Sequence, residues 1–163
     1  MSSLRSPSAQ AIGFLFWLAL AFAAAVIGAI ASRDAASFYG QLTKPSWAPP
    51  VAIFGPVWTA LYALMGTAAW LVWRTPGPRR AALAVFCAQL AANALWSWLF
   101  FAWRSGAAAA VEVLILLALI VATVTVFWKH SRVAALLLLP YVLWVSFASA
   151  LTWTLWRGNP GLL

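Results

Sequence analysis

Five apolar runs, each long enough to cross a bilayer, fix what this chain can become: Ala11–Ser32, Val51–Trp73, Ala81–Trp103, Ala107–Trp128 and Val133–Trp156. Each is close to the roughly 20 residues that span about 30 Å of hydrocarbon. Backbone N–H and C=O groups find no water in that medium and must pair within their own segment, so each run is predicted to be an α-helix. The segments between them are too short for a separate soluble domain. The expected architecture is an all-α membrane protein, a single five-transmembrane-helix bundle over residues 1–163. A hydrophobic content of 66% with only 7% charged residues agrees.

The net charge of +8 would fit a nucleic-acid partner if it were concentrated. It is instead spread singly or in short clusters between the apolar runs, as membrane-flanking charge should be, so nucleic acid is excluded as a partner. The single cysteine, Cys87, permits no intrachain disulfide. The first run ends in Ala29-Ile30-Ala31, a small-residue pattern like a signal-peptidase site. It is longer than a secretory apolar core of about 7–15 residues, and Ala24, Gly28 and Ser32 suit close helix contact. A retained first helix is expected.

Three connectors are short, whereas Arg33–Pro50 is long. It is too polar to span a membrane. Phe38, Tyr39, Leu42 and Trp47 make it too apolar for a plain linker. It is either a lid over the bundle or a connector lying on the headgroups, and spacing does not separate the two. Lysine and arginine set the orientation. One face, face A, holds Arg5, Arg74, Arg79, Arg80, Lys129 and Arg132; the other, face B, holds Arg33, Lys44, Arg104 and Arg157. That bias puts face A and the N-terminus in the cytoplasm, and the long loop and C-terminus outside. A bacterial cell membrane is the expected location.

The chain carries 12 tryptophans. Trp73, Trp103, Trp128 and Trp156 close apolar runs, Trp70 and Trp153 lie a turn from run ends, and interfacial anchoring accounts for them. Trp17 near the start of the first run is ambiguous, and Trp98 has no evident role. Trp58, Trp96 and Trp144 lie deeper. At about 1.5 Å per residue, Trp58 and Trp96 are about 10 Å below face B, and Trp144 is near the midplane. Helical spacing groups Trp58 with Tyr62 and Met65, Asn93 with Ser97 and Phe100 beside Trp96, and Trp144 with Phe147, Ala148 and Leu151. Three stripes at one depth fit an aromatic pocket beneath the long loop; ordinary helix packing would give the same stripes. Gln89 and Asn93 tilt the balance, because a buried amide in lipid bonds across helices or faces a cavity. Glu112, a carboxylate at similar depth, is expected to serve structure, paired with Arg104, snorkelling to the surface, or anchoring the loop through Arg33 or Lys44.

The segment Lys44-Pro45-Ser46-Trp47-Ala48-Pro49-Pro50, followed by Phe54, Pro56, Trp58, Thr59, Leu61 and Tyr62, resembles the signature of the translocator protein family. These are the tryptophan-rich sensory proteins, also known as TspO or peripheral-type benzodiazepine receptor proteins. The resemblance continues through Gln89–Trp96, Phe100-Phe101, Pro140-Tyr141, Trp144, Phe147-Ala148 and Trp156-Arg157. It implies a five-helix bundle that binds porphyrins of the protoporphyrin IX type and isoquinoline or benzodiazepine-type ligands. The pocket would lie beneath the loop joining the first two helices. Carried over by position, the implied ligand-binding residues are Trp47, Trp58, Tyr62, Asn93, Trp96, Trp144, Phe147, Ala148 and Leu151. Some members are proposed to degrade protoporphyrin in light through two tryptophans, matched here by Trp58 and Trp144. The cholesterol motif of animal members is incomplete, with Trp153 at its tyrosine position.

No required cofactor, metal cluster or hydrolytic triad is expected, since the one histidine, His130, lies on face A, away from the inferred pocket. A porphyrin sensor or regulator is the leading function. A light-dependent porphyrin-degrading enzyme is the alternative. A transporter of porphyrins or other lipophiles is a weaker third, for want of a polar pathway or inverted repeat. Ala84, Ala88 and Ala92 form a small-residue ridge on the third helix that suits either a homodimer or internal packing.

Overall fold

The computed structural model describes residues 6–163; Arg5, counted above on face A, lies outside them. Five helical spans are long and apolar enough to cross a membrane: Pro7–Ala31, Val51–Trp73, Arg80–Ala102, Gly106–Trp128 and Arg132–Gly158. The first is α1 (Pro7–Ala31), which begins four residues before its apolar run. Ser6 caps it by accepting from the Ala9 amide at 3.3 Å, and Pro7 suits a first turn whose amide would be unpaired anyway. Its buried residues, Gly13, Trp17, Ala21, Ala24 and Gly28, fall on one face and are mostly small. This lets α1 approach α3 (Phe54–Trp73) closely. At Gly66 of α3 an added Cβ would lie 2.8 Å from Leu18 Cα, a backbone atom that cannot step aside. Trp17, ambiguous in the sequence, is buried here with its ring edge-on to Phe86.

The long connector is folded. It holds a two-turn helix, α2 (Ala35–Gln41), then an irregular stretch and a 3-10 turn (Val51–Ile53) that leads into α3. Phe38, Tyr39 and Leu42 are buried against Phe100, Ala109, Leu151 and Leu155, so the segment covers the face-B end of the bundle as a lid.

The third span is α4 (Arg80–Ser97) followed by a π turn (Trp98–Ala102), in which the Trp103 amide reaches back to the Trp98 carbonyl at 2.8 Å. The fourth is α5 (Gly106–Trp128). The fifth is not one rod but two helices, α6 (Arg132–Leu137) and α7 (Leu139–Gly158). Pro140 explains the break: it has no amide to donate, and its ring crowds the carbonyl four residues back.

The spans form a ring. α1 packs on α3 and α4, α4 on α5, α5 on α6 and α7, and α6 closes the ring against α3. The face-A half is solid, with Met65, Val72, Phe86, Ile120, Phe127, Ala134 and Ala135 all at 0% exposure. Phe86 and Phe127 stack there with centroids 5.8 Å apart. On the face-B side of the Pro140 break, α3 and α7 meet through long aromatic side chains, Trp58 against Tyr141 at 6.1 Å and Phe54 against Trp144 at 5.9 Å. The outside is apolar too: Ile12, Phe16, Val111, Leu114 and Leu143 are all more than half exposed. Helices apolar on every side are what a bundle in lipid requires.

Candidate functional site

Where α3 and α7 separate, the bundle holds a cavity of about 420 Å³. Its walls come from α1, α3, α4 with the π turn, and α7, and its roof from Ala35 and Tyr39 of the lid helix; among the described residues, none of α5 lines it. Seven of the nine ligand-binding residues implied from sequence line this one space: Trp58, Tyr62, Asn93, Trp96, Trp144, Ala148 and Leu151, together with Ser97 and Phe100 of the same stripes. Trp47 and Phe147 do not. Their rings pack edge-to-face at 5.7 Å, and Trp47 is 47% exposed. Phe147 lies roughly 60° around α7 from Trp144, whereas Leu151 and Leu155 lie within about 20° and do line the cavity.

Sequence reasoning missed the contribution of α1, through Phe22, Ala25, Val26, Gly28, Ala29 and Ser32. A helix apolar all round shows no stripe to read. The small residues at Gly28 and Ser32 were the available signal. Thr152, buried, also lines the cavity.

The wall is aromatic with a single polar knot. The Tyr62 hydroxyl donates to Asn93 Oδ1, and Asn93 Nδ2 donates to the Tyr141 hydroxyl at 2.8 Å. One amide thereby joins α3, α4 and α7 at the cavity floor, which satisfies an otherwise costly buried group. Two other lining hydroxyls are turned to their own helices: Thr59 to the Gly55 carbonyl at 2.9 Å and Ser32 to that of Gly28 at 2.9 Å. Trp96 stacks on Phe100 with centroids 5.1 Å apart, and its indole N–H has no partner within the protein. Gln89 reaches Met65 Sδ through its nitrogen at 3.8 Å, and its oxygen is unpaired.

The lid is clamped to α7 at one point and braced within itself at two. The Asn159 side chain pairs with the backbone of Thr43 like a neighbouring strand, accepting from its amide at 2.7 Å and donating to its carbonyl at 3.0 Å. Lys44 Nζ donates to the Tyr39 and Leu42 carbonyls at 2.8 and 2.9 Å, satisfying the C-terminal end of α2. The Tyr39 hydroxyl donates to the Pro49 carbonyl at 3.1 Å, and burial raises the pKa of this phenol. Glu112 takes no part in this. It is buried, both its oxygens are unpartnered, and it pairs with none of Arg104, Arg33 or Lys44. Lys44 is turned instead to the carbonyls at the end of α2, and Arg104 lies over the Phe38 ring at 4.7 Å.

A family model described as TspO/MBR family matches residues 15–157. The chain is 41% identical over 131 residues to the tryptophan-rich protein TspO of Chlorobaculum tepidum, covering 78% of this chain and 83% of that one. It is 38% identical over 128 residues to the human translocator protein, covering 76% of each. With the tryptophan-rich sensory protein of Cereibacter sphaeroides the identity is 37% over 146 residues, covering 90% of each.

Proposed function

The chain belongs to the TspO/MBR family, and on that premise we propose that it is a membrane sensor or regulator that binds tetrapyrroles, with isoquinoline and benzodiazepine-type compounds competing for the same space. The observation that carries this reading is the aromatic cavity beneath the fastened lid. Its volume of about 420 Å³ falls within the roughly 300–1,000 Å³ of small-molecule pockets. Its walls offer flat indole and phenyl faces for a planar ring and few polar atoms to orient it. The sensor role rests on the likeness to a relative named a tryptophan-rich sensory protein.

Quenching of tryptophan fluorescence by protoporphyrin IX tests the binding. Saturable quenching at micromolar porphyrin, displaced by an isoquinoline ligand, is expected. Its absence would remove the reading.

A second reading, light-dependent degradation of protoporphyrin, is favoured by one observation: Trp58 and Trp144 line the same cavity, so both indoles can touch one bound ring. An indole can supply an electron to a photoexcited ring without a general base or a metal. Illumination with time separates the readings. Loss of porphyrin absorbance that disappears in both Trp58→Phe and Trp144→Phe supports the enzyme; stable porphyrin supports the sensor.

In orientation, we infer a cytoplasmic N-terminus and face A, in a bacterial cell membrane, with lid and C-terminus outside. We also propose a homodimer through α4, where Ala84 and Ala88 stand exposed on the outer face. Crosslinking in bilayers that traps only monomer would exclude it.

A further inference from the structure

A second, smaller cavity of about 250 Å³ lies at the face-B rim, between the end of α1, the start of α2 and the π turn. Arg33, Arg104 and Asp34 line it, with Trp98, Phe101 and Ile30 as its apolar side. Two cations against one carboxylate leave it electropositive. Ala35 and Phe101 belong to the linings of both cavities, so the two spaces share a wall of one methyl and one phenyl ring. That ring is packed on Phe100 at 5.0 Å and on Trp96 at 5.8 Å, inside the main cavity's own aromatic cluster.

The main cavity has no charged side chain among its described lining residues. An ionised carboxylate enclosed there would meet mostly aromatic and aliphatic faces and no cation, at a large desolvation cost. Lys44, the other cation near the lid, is spent on the carbonyls at the end of α2. The cations that border the main cavity's wall are therefore those of the rim. Arg104 is held there at some expense: its φ of 51° is a left-handed conformation that favours glycine. The Ser105 amide bonds the Leu99 carbonyl at 2.8 Å across it, and the guanidinium lies over Phe38 of the lid.

We propose that the rim cavity is a carboxylate subsite for the ligand of the main cavity. A planar amphiphile would place its apolar ring beneath the lid and its acid group past Phe101, between Arg33 and Arg104. This rests on the ligand-binding reading above and narrows the ligand to an anionic one. Asp34 opposes the bound acid and tunes the affinity.

The test compares protoporphyrin IX with its dimethyl ester, which keeps the ring and lacks the charge, by tryptophan quenching in a neutral detergent. Arg33→Gln and Arg104→Gln are each expected to weaken binding of the acid about tenfold, the size of one charge-assisted contact, and to leave the ester unchanged. Asp34→Asn should tighten the acid alone. Arg104→Lys should stay near wild type. Arg33→Gln leaves the Arg104–Phe38 contact in place, so its effect does not depend on an intact lid contact being lost. Acid and ester responding alike to Arg33→Gln, or the acid not responding at all, would overturn the subsite while the main cavity reading stood. Failure of the wild type to bind either compound would overturn both.

Discussion

The two halves of α3 behave as though they belonged to different proteins. Toward face A, Met65, Gly66, Ala68, Ala69 and Val72 are buried against neighbouring helices with no space left over. Toward face B, Phe54, Gly55, Trp58, Thr59 and Tyr62 border a void. Both halves are apolar, so hydrophobicity does not decide which one packs. Side-chain size does, together with the direction of the partner helix. Small residues on α3 meet Ala134 and Ala135 of α6, and the ring shuts. Beyond Pro140, α7 takes a new start, and large rings hold it off from α3. The solid half supplies the stability on which the hollow half can stand, since a cavity leaves its lining short of contacts.

Substitutions on this helix and its neighbours can break that contrast, and the largest effect belongs to Gly66→Val. A Cβ there meets the α1 backbone, and destabilisation of about 3 kcal/mol or more, or failure to fold, is expected in thermal unfolding in detergent. Phe86→Ala, in the solid half, should cost about 3–5 kcal/mol, and Trp144→Ala, beside the void, clearly less. Equal losses would mean that the cavity wall bears as much of the fold as the packed end does. Next comes Asn93→Leu, which leaves the Tyr62 and Tyr141 hydroxyls without their shared partner. About 1–3 kcal/mol of stability should go, along with ligand affinity in the quenching assay.

Asn159→Ala removes the lid clamp and is expected to change kinetics more than stability. Ligand release followed by stopped-flow quenching should accelerate about tenfold, the equivalent of one to two hydrogen bonds. An unaltered release rate would show that the lid stays shut without it. The smallest effect is Gly55→Ala. No atom lies within 4 Å of the added methyl, and stability should hold or rise by up to about 1 kcal/mol from helix propensity. A large loss there would contradict the void.

The spans were legible because lipid leaves a chain few options: twenty apolar residues can be read without any partner. The aromatic stripes were legible for a related reason, that helical phase is local. Features that depend on two distant segments were not. Asn159 lies 116 residues from Thr43, and no local pattern announces their pairing. The walls given by α1 could not be picked from a helix with no polar face. Pro140 stood in plain view as part of a motif, yet its effect on the fifth span follows from proline's own geometry. Trp98 acquires a place once the π turn is seen, since that turn sets it on the rim beside Arg104. Phe147 shows the limit of spacing alone: it lies on the edge of its stripe and outside the cavity lining, where Trp47, a loop residue carried over by resemblance, packs against it.

The pairing of Asn159 with Thr43 also sets an order of events during synthesis. It closes a chain loop that contains four of the five spans, and Asn159 comes directly after the fifth. While the fifth span is still in the ribosome, the segment after the first has nothing to clasp. The clamp therefore reports that the fifth span is in place: the roof can be fastened only after every wall has been delivered to the membrane.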